Sequence, residues 1–424
     1  MEYTNADAET LLSGAVAPAG RRIFSAAIFG LACPSGCGCD GFTSSILLRR
    51  LSWDLNFRVS RWVTSTSFVA GTLLSAVTDV TDFACAASPP TYAGTMRFRP
   101  FGKLGINCSE IGFGAWAIGG MWGPQRDTDS LAALHRALDL GCNFIDTAAG
   151  YGNGRSERLI AEVLRAREAA GRKEKIFVAT KTPPAPGTWP PSPYDRADVR
   201  YSETYLRESV AERLRNLGVN KLDLLQLHTW TRVWNRNPMP FKLLRQLQRE
   251  GLIGLVGIST PEQDQNSVID LMRGGWVDAV QVIYNLFEQE PAAELLDVAK
   301  ECGVGIIVRV AFDEGALTGK FTRDLKFPPD DFRAKYFEGD RLARAVAHAD
   351  EIKKDLAGSG YTLPQAALKW VLAHPAVSTV IPGIRNIAQA EANCGVSDLP
   401  AMPETLVERL RRHNWRRGVW YGGK

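Results

Sequence analysis

Lysine is absent from the first 102 residues of this 424-residue chain, which begins its lysines at Lys103. The same stretch up to residue 95 holds six arginines and much Ser, Thr and Ala, and neither a 3.6-residue period nor strict alternation persists in it. Histidine is also scarce. The five (His135, His228, His348, His374, His413) never fall at ligand spacing, which argues against metal-dependent hydrolysis. An excess of either charge is nearly missing: a net +4 gives no reason to expect nucleic acid or an anionic membrane as partner. Apolar runs are short. Ile23–Cys33 follows Arg21-Arg22, but Glu2, Asp7 and Glu9 make the preceding residues acidic, unlike a secretory signal, and residues 67–77 are too short and polar to span a bilayer. Cys33, Cys37 and Cys39 cluster without a histidine or second pair to complete a zinc set. Cys108, Cys142, Cys302 and Cys394 are scattered singly in apolar segments, so buried reduced thiols and a cytoplasmic location are expected.

The chain therefore divides in two. Residues 1–95 read as a leader that is disordered or poorly ordered, or is not part of the functional protein, with an organelle transit peptide as the alternative. From Met96 to residue 424 the texture is that of one domain. Strands are expected at 111–116, 143–147, 176–181, 222–228, 253–259, 279–284, 305–310 and 379–382. Amphipathic segments at 130–140, 157–170, 205–217, 241–250, 262–273, 292–302 and 342–356 alternate with them, several closing at Gly141, Gly171, Gly218, Gly251, Gly274 or Gly303. Strands too apolar to have a wet face imply a parallel sheet covered by helices. Eight βα units close into a barrel, and from Met96 onward no Gly-x-Gly-x-x-Gly opens a helix as a doubly wound dinucleotide fold would require.

In an α/β barrel, reactive groups stand at the C-terminal ends of strands. Those positions hold Asp146 and, in the loop that follows, Tyr151; Lys181 on the next strand; and His228 on the one after. Singly, each has a structural explanation, such as an Asp capping a turn or a half-buried imidazole. Together they form a working set. A phenol titrates near pH ~10, so it is a poor acid unless a cation such as Lys181 stabilises its anion. Asp146 would keep that lysine charged, and His228 could orient a substrate carbonyl. No side chain supplies hydride, so a nicotinamide is required. Trp116, Trp122, Trp189, Trp230 and Trp234 fall near the same rim, with Trp122 and Trp230 expected as pocket walls and the loop 183–201 as a pocket-shaping segment. The stretch after Pro403, with Trp415, Arg416, Arg417, Trp420 and Tyr421, is expected to fold over the barrel mouth or mark an interface.

The segment Asn143-Phe-Ile-Asp-Thr-Ala-Ala-Gly-Tyr-Gly-Asn-Gly-Arg-Ser-Glu157 resembles the signature of the aldo-keto reductase superfamily, and Phe101-Gly-Lys-Leu-Gly105 looks like that family's N-terminal hairpin. The resemblance covers about 96–395 and implies a (β/α)8 TIM barrel with an N-terminal β-hairpin, catalytic Asp146, Tyr151, Lys181 and His228, and NADPH as cofactor. It further implies that Ser259 and Gln281 hold the nicotinamide carboxamide, with Thr260 standing where the family has Asn, and that Tyr284 stacks on the ring. Gly315, Leu317, Gly319 and Lys320 would form the pyrophosphate strap, although Arg309-Val310-Ala311 departs from the family's Tyr-Ser-Pro. Gly383, Arg385, Gln389 and Asn393 resemble the adenosine 2′-phosphate site, which favours NADPH over NADH. The expected activity is reduction of a small-molecule aldehyde or ketone; the alternative is an NADPH-binding regulatory or scaffolding barrel with little turnover.

Overall fold

The computed structural model describes residues 95–415. The leader expectation, the Cys33/Cys37/Cys39 cluster and residues 416–424 lie outside these. A hairpin comes first: β1 (Phe98–Pro100) pairs antiparallel with β2 (Asn107–Ser109). Eight parallel strands follow, β3 (Phe113–Gly114), β4 (Phe144–Asp146), β5 (Phe177–Thr182), β6 (Leu222–Leu227), β7 (Ile253–Ser259), β8 (Ala279–Ile283), β9 (Gly305–Arg309) and β10 (Val377–Val380), each hydrogen-bonded to the next in sequence. The ring shuts where Ile111 bridges Val380 and Gly114 bridges Gly383, with the Gly112 amide donating to the Val380 carbonyl at 2.8 Å. A side chain at Gly114 would meet the Ile381 carbonyl at 2.5 Å, so the seam needs glycine.

Two apolar layers follow from strand alternation. Inward residues including Phe101, Phe144, Phe177, Leu224, Ala279 and Ile307 fill the barrel interior. Outward residues such as Ile145, Leu225, Val256, Val280 and Val308 pack beneath the helices. The hairpin floors the N-terminal end: Phe101 is fully buried, its ring 5.6 Å from Phe144 and 5.8 Å from Phe177. Gly102 (φ +57°) approaches Gly303 so closely that a Cβ would collide with its carbonyl. With this end plugged, the open end is the one carrying the strand C-termini.

The sequence expectations hold for all eight strands to within three residues at either end. Helices Asp127–Asp139, Arg155–Ala169, Glu203–Leu217, Met239–Arg249, Leu295–Cys302 and Arg341–Asp355 lie where amphipathic segments were expected. Residues 262–273 differ, forming a 3-10 turn at Gln265–Val268 and a short helix at Ile269–Arg273. Gln265 is the reason. Its side chain accepts from the Thr260 hydroxyl and the Ile283 amide and donates to the Ile283 carbonyl, stapling β7 to β8 where a longer helix would run. Gly274 keeps a right-handed conformation (φ −80°), and Gly275 (φ +68°) takes the left-handed position expected of it. Helices Leu363–Ala373, Ile387–Cys394 and Glu404–Arg411 had no counterpart in the sequence reading. Cys302 is exposed, contrary to expectation, because it ends its helix against solvent; Cys108, Cys142 and Cys394 are buried. Among the described residues no helix is long and apolar enough to cross a membrane.

Candidate active site

Asp146 is the last residue of β4, Lys181 lies near the end of β5, and His228 follows β6, so three neighbouring strands deliver them to one rim. Tyr151 sits in the loop after β4. That loop is pinned by a relay in which the Thr147 hydroxyl donates to Ser156 Oγ at 2.8 Å and Ser156 Oγ donates to the Ala115 carbonyl at 3.0 Å. Behind it, the buried Glu157 accepts from Thr180 (2.7 Å), Arg213 (2.8 Å) and Asn216 (2.8 Å), locking the following helix onto its neighbour.

The expected tetrad assembles. The Lys181 ammonium, fully buried, donates to Asp146 Oδ1, to the Thr147 carbonyl at 2.9 Å and to the Tyr151 hydroxyl at 3.1 Å. Asp146 Oδ2 accepts from Gln226 Nε2 at 3.1 Å and from Gln281 Nε2 at 2.7 Å, so both carboxylate oxygens are satisfied without water. His228 faces Tyr151 with ring centroids 6.0 Å apart. Gln226 was not singled out in the sequence, yet it is the residue opposite Lys181 in the β5–β6 register, and pairing the two strands would have found it.

The electrostatics follow from burial and charge. Burial opposes the Lys181 cation, but Asp146 and Tyr151 outweigh it and its pKa stays above the ordinary lysine value. Burial raises the Tyr151 phenol; Lys181 pulls it back without reversing the direction. The sequence reading looked for a phenol made more acidic by Lys181, and in the protein alone desolvation prevails. His228 is driven well below its ordinary value, first by burial and then by the cations Lys181 and Arg309, so its ring is neutral at physiological pH.

These groups open on a cavity of about 900 Å³. Asp146, Tyr151, His228, Ser259, Thr260, Gln281, Gly315 and Gly383 line it, as do Arg309 and Glu314, which sequence reasoning did not assign. Trp116, Trp122 and Trp189 are wall residues, with Trp189 60% exposed and its ring 5.5 Å from His228. Trp230 is a correction. It is buried against Trp234 and Phe241, its indole nitrogen bonded to Asn235, and does not reach the cavity. Trp415 packs on Phe287 and His348 and does not line the cavity either.

Several residues expected at the ligand lie outside the cavity lining. Tyr284 points outward from β8, its ring 4.9 Å from Trp370, and is not a cavity residue. Thr260 lines the cavity, but its hydroxyl is committed to Gln265. Leu317 is buried in the outer core, Gly319 (φ +73°) ends a 3-10 turn and Lys320 is exposed; none of the three lines the cavity. Arg385 lies beyond it. Its guanidinium donates to Gln125 Oε1 (2.8 Å) and the Pro124 carbonyl (2.7 Å), and its amide donates to Gln389 (2.8 Å), while Asn393 reaches the Gly383 carbonyl at 3.5 Å. Among the described residues no cluster of His, Cys, Asp or Glu could hold a metal.

Residues 110–414 match the family model described as the aldo/keto reductase family. An aldo-keto reductase of Bacillus subtilis is 29% identical over 307 residues, 70% of this chain and 87% of the relative. An Escherichia coli protein named as an NADH-specific methylglyoxal reductase is 27% identical over 346 residues, covering 75% and 100%. Among solved structures, a glycerol dehydrogenase from Gluconobacter oxydans superposes with a TM-score of 0.60 at 28% identity, covering 74% of this chain and 94% of that one.

Proposed function

Because the chain belongs to the aldo/keto reductase family, we propose that it reduces an aldehyde or ketone to an alcohol at the expense of NADPH, with Tyr151 as the proton donor. The observation that carries this reading is the bonding of one buried ammonium, Lys181, to both Asp146 and Tyr151 at the wall of the cavity. Tyr151 is protonated at neutral pH and can give its proton to a carbonyl oxygen. Lys181 shares the charge of the phenolate left behind, and Asp146 keeps the lysine cationic. His228, neutral, donates a hydrogen bond to the same oxygen and fixes the carbonyl between the two donors. The proton is restored to Tyr151 from solvent after the alcohol leaves.

A dinucleotide fits the residues present. Among the described residues Gln281 Oε1 is buried without a partner while its amide is held by Asp146, leaving an acceptor at the cavity wall suited to a carboxamide N–H, with Ser259 alongside. When bound there, a nicotinamide supplies the hydride that no side chain can. NADPH is favoured over NADH by Arg385, whose Nη1 has no partner among the described residues and so remains free for a 2′-phosphate. Reduction is tested with Tyr151→Phe. Its turnover should fall ~10²–10⁴-fold against a panel of aldehydes and ketones, with NADPH affinity unchanged. Turnover within a few-fold of the parent removes Tyr151 from the chemistry.

A further inference from the structure

A glutamine has two ends of the same shape and opposite chemistry, and Asp146 dictates which end two of them present. Gln226 and Gln281 are both buried, and both reach Asp146 Oδ2, at 3.1 Å and 2.7 Å. A carboxylate oxygen only accepts, so each glutamine must turn its NH2 toward Asp146 and its carbonyl away. The other carboxylate oxygen, Oδ1, is taken by the Lys181 ammonium. The consequence is that Oε1 of Gln226 and of Gln281 are both buried without a partner among the described residues. A buried acceptor left unmet costs about 1–3 kcal/mol. Gln281 lines the cavity and Gln226 does not, so of the two it is Gln281 that a ligand can satisfy.

The residues around Gln281 do not make this choice for it. The Thr260 hydroxyl donates to Gln265 at 3.1 Å, and the Thr260 carbonyl accepts from Arg309 at 3.1 Å. The Ser259 hydroxyl, also on the cavity wall, can donate or accept. Whether this corner of the cavity welcomes a donor or an acceptor therefore turns on the Gln281 amide. Half a rotation about its last bond exchanges the two ends and leaves its shape unchanged. Asp146 forbids that rotation, because it would set Oε1 against a carboxylate oxygen.

We propose that Asp146, besides holding Lys181 as a cation, makes the cofactor site selective for a carboxamide, by locking the acceptor end of Gln281 toward the cavity. The inference rests on the dinucleotide-binding reading above. Asp146→Asn should reverse the polarity of the site. The Lys181 ammonium only donates, so the new side chain turns its oxygen to Lys181 and its NH2 to the glutamines. Gln281 then answers with Oε1 and shows its own NH2 to the cavity. One carboxylate thus serves the proton donor through one oxygen and cofactor recognition through the other.

The test is a calorimetric titration with NADP+ and with its 3-acetylpyridine analogue, in which a methyl group replaces the carboxamide NH2. The parent should bind NADP+ about tenfold more tightly, since the analogue leaves the buried Gln281 acceptor unmet. Asp146→Asn should lose that preference or reverse it. Gln281→Met, which has neither end, should bind the two dinucleotides equally. The double variant Asp146→Leu/Lys181→Met replaces the buried ion pair with apolar side chains of similar size, an exchange that folds tolerate. It frees Gln281 to turn, should bring the preference below about threefold, and covers the case in which Asp146→Asn does not fold. A tenfold preference kept by Asp146→Asn, or by the double variant in that case, overturns the role of Asp146 while leaving dinucleotide binding intact. Equal binding of the two dinucleotides by the parent overturns it as well. No saturable binding of either by the parent overturns this inference and the dinucleotide reading together.

Discussion

Within the tetrad, His228 is the group whose titration can be followed most directly. Its pKa lies well below the usual 6.5 in the folded protein, so the unfolded chain takes up a proton first as pH falls. Its contribution to stability is therefore complete above pH 6.5 and is lost as pH drops below that value toward the folded pKa. The melting temperature of the parent should decline more steeply between pH 6.5 and 5 than that of His228→Asn, measured by calorimetry. Because the ring stays neutral, kcat should show no step near pH 6.5; an acid limb centred there would place a protonated imidazole in the mechanism. Lys181 gives a second prediction at this scale. Lys181→Met leaves the Asp146 carboxylate without its cation, and although Gln226 and Gln281 still bind it, unfolding should become easier by about 3–5 kcal/mol. Denaturant unfolding measures this, and a loss under 1 kcal/mol would mean that the two amides suffice. At Arg385, substitution by Ala should weaken NADPH binding by about 1.5–3 kcal/mol and NADH little. Equal losses in a binding titration would show that Arg385 serves only to hold Gln125 and Pro124.

The elements with the clearest sequence signals are the ones that build the barrel. Short apolar runs separated by amphipathic stretches identify β3 to β10, because strands buried on both faces leave no polar alternation to confuse them. Asp146, Tyr151, Lys181 and His228 were legible as candidates for a related reason: barrel geometry directs attention to strand C-termini and the loops just after them, and a strand end is easy to locate. Tyr284 shows where such reading goes astray. Gln281 and Tyr284 are three residues apart, and in a strand of period two they fall on opposite faces. Since Gln281 points inward to Asp146, Tyr284 must point outward, so strand parity alone could have corrected the expectation. Arg309 ends β9 with the inward parity of Ile307, so the same rule would have found it, whereas Glu314 lies on a left-handed turn that offers no strand parity to read. Gln265 acts through hydrogen bonds to residues on two other segments. The hairpin makes its own prediction. Phe101→Ala would empty the barrel floor beneath Phe144 and Phe177 and destabilise the fold by about 3–5 kcal/mol. With the cavity at the opposite end, kcat at a temperature where the variant is folded should be unchanged.

For the molecule as a whole, the first described residues are already fastened. The Arg97 amide donates to Ser397 Oγ at 2.8 Å and its guanidinium to the Leu399 carbonyl at 2.6 Å. A chain beginning at Met96 retains these ties, and we expect it to melt at the same temperature as the full chain and to turn over at the same rate. A substantially lower value of either would assign residues 1–95 a part in the fold. The seam between β3 and β10 has a different consequence, one in time. The partners that shut the ring, Ile111 with Val380 and Gly114 with Gly383, lie near opposite ends of the described chain. During synthesis the growing polypeptide can only be an unclosed sheet of up to seven strands, with raw backbone along both margins, until the last strand has left the ribosome. Such margins template pairing with other chains, so the nascent protein passes through a window of vulnerability to aggregation that ends abruptly with one late strand. A premature stop between Arg309, where β9 ends, and Val377 would hold it in that window permanently.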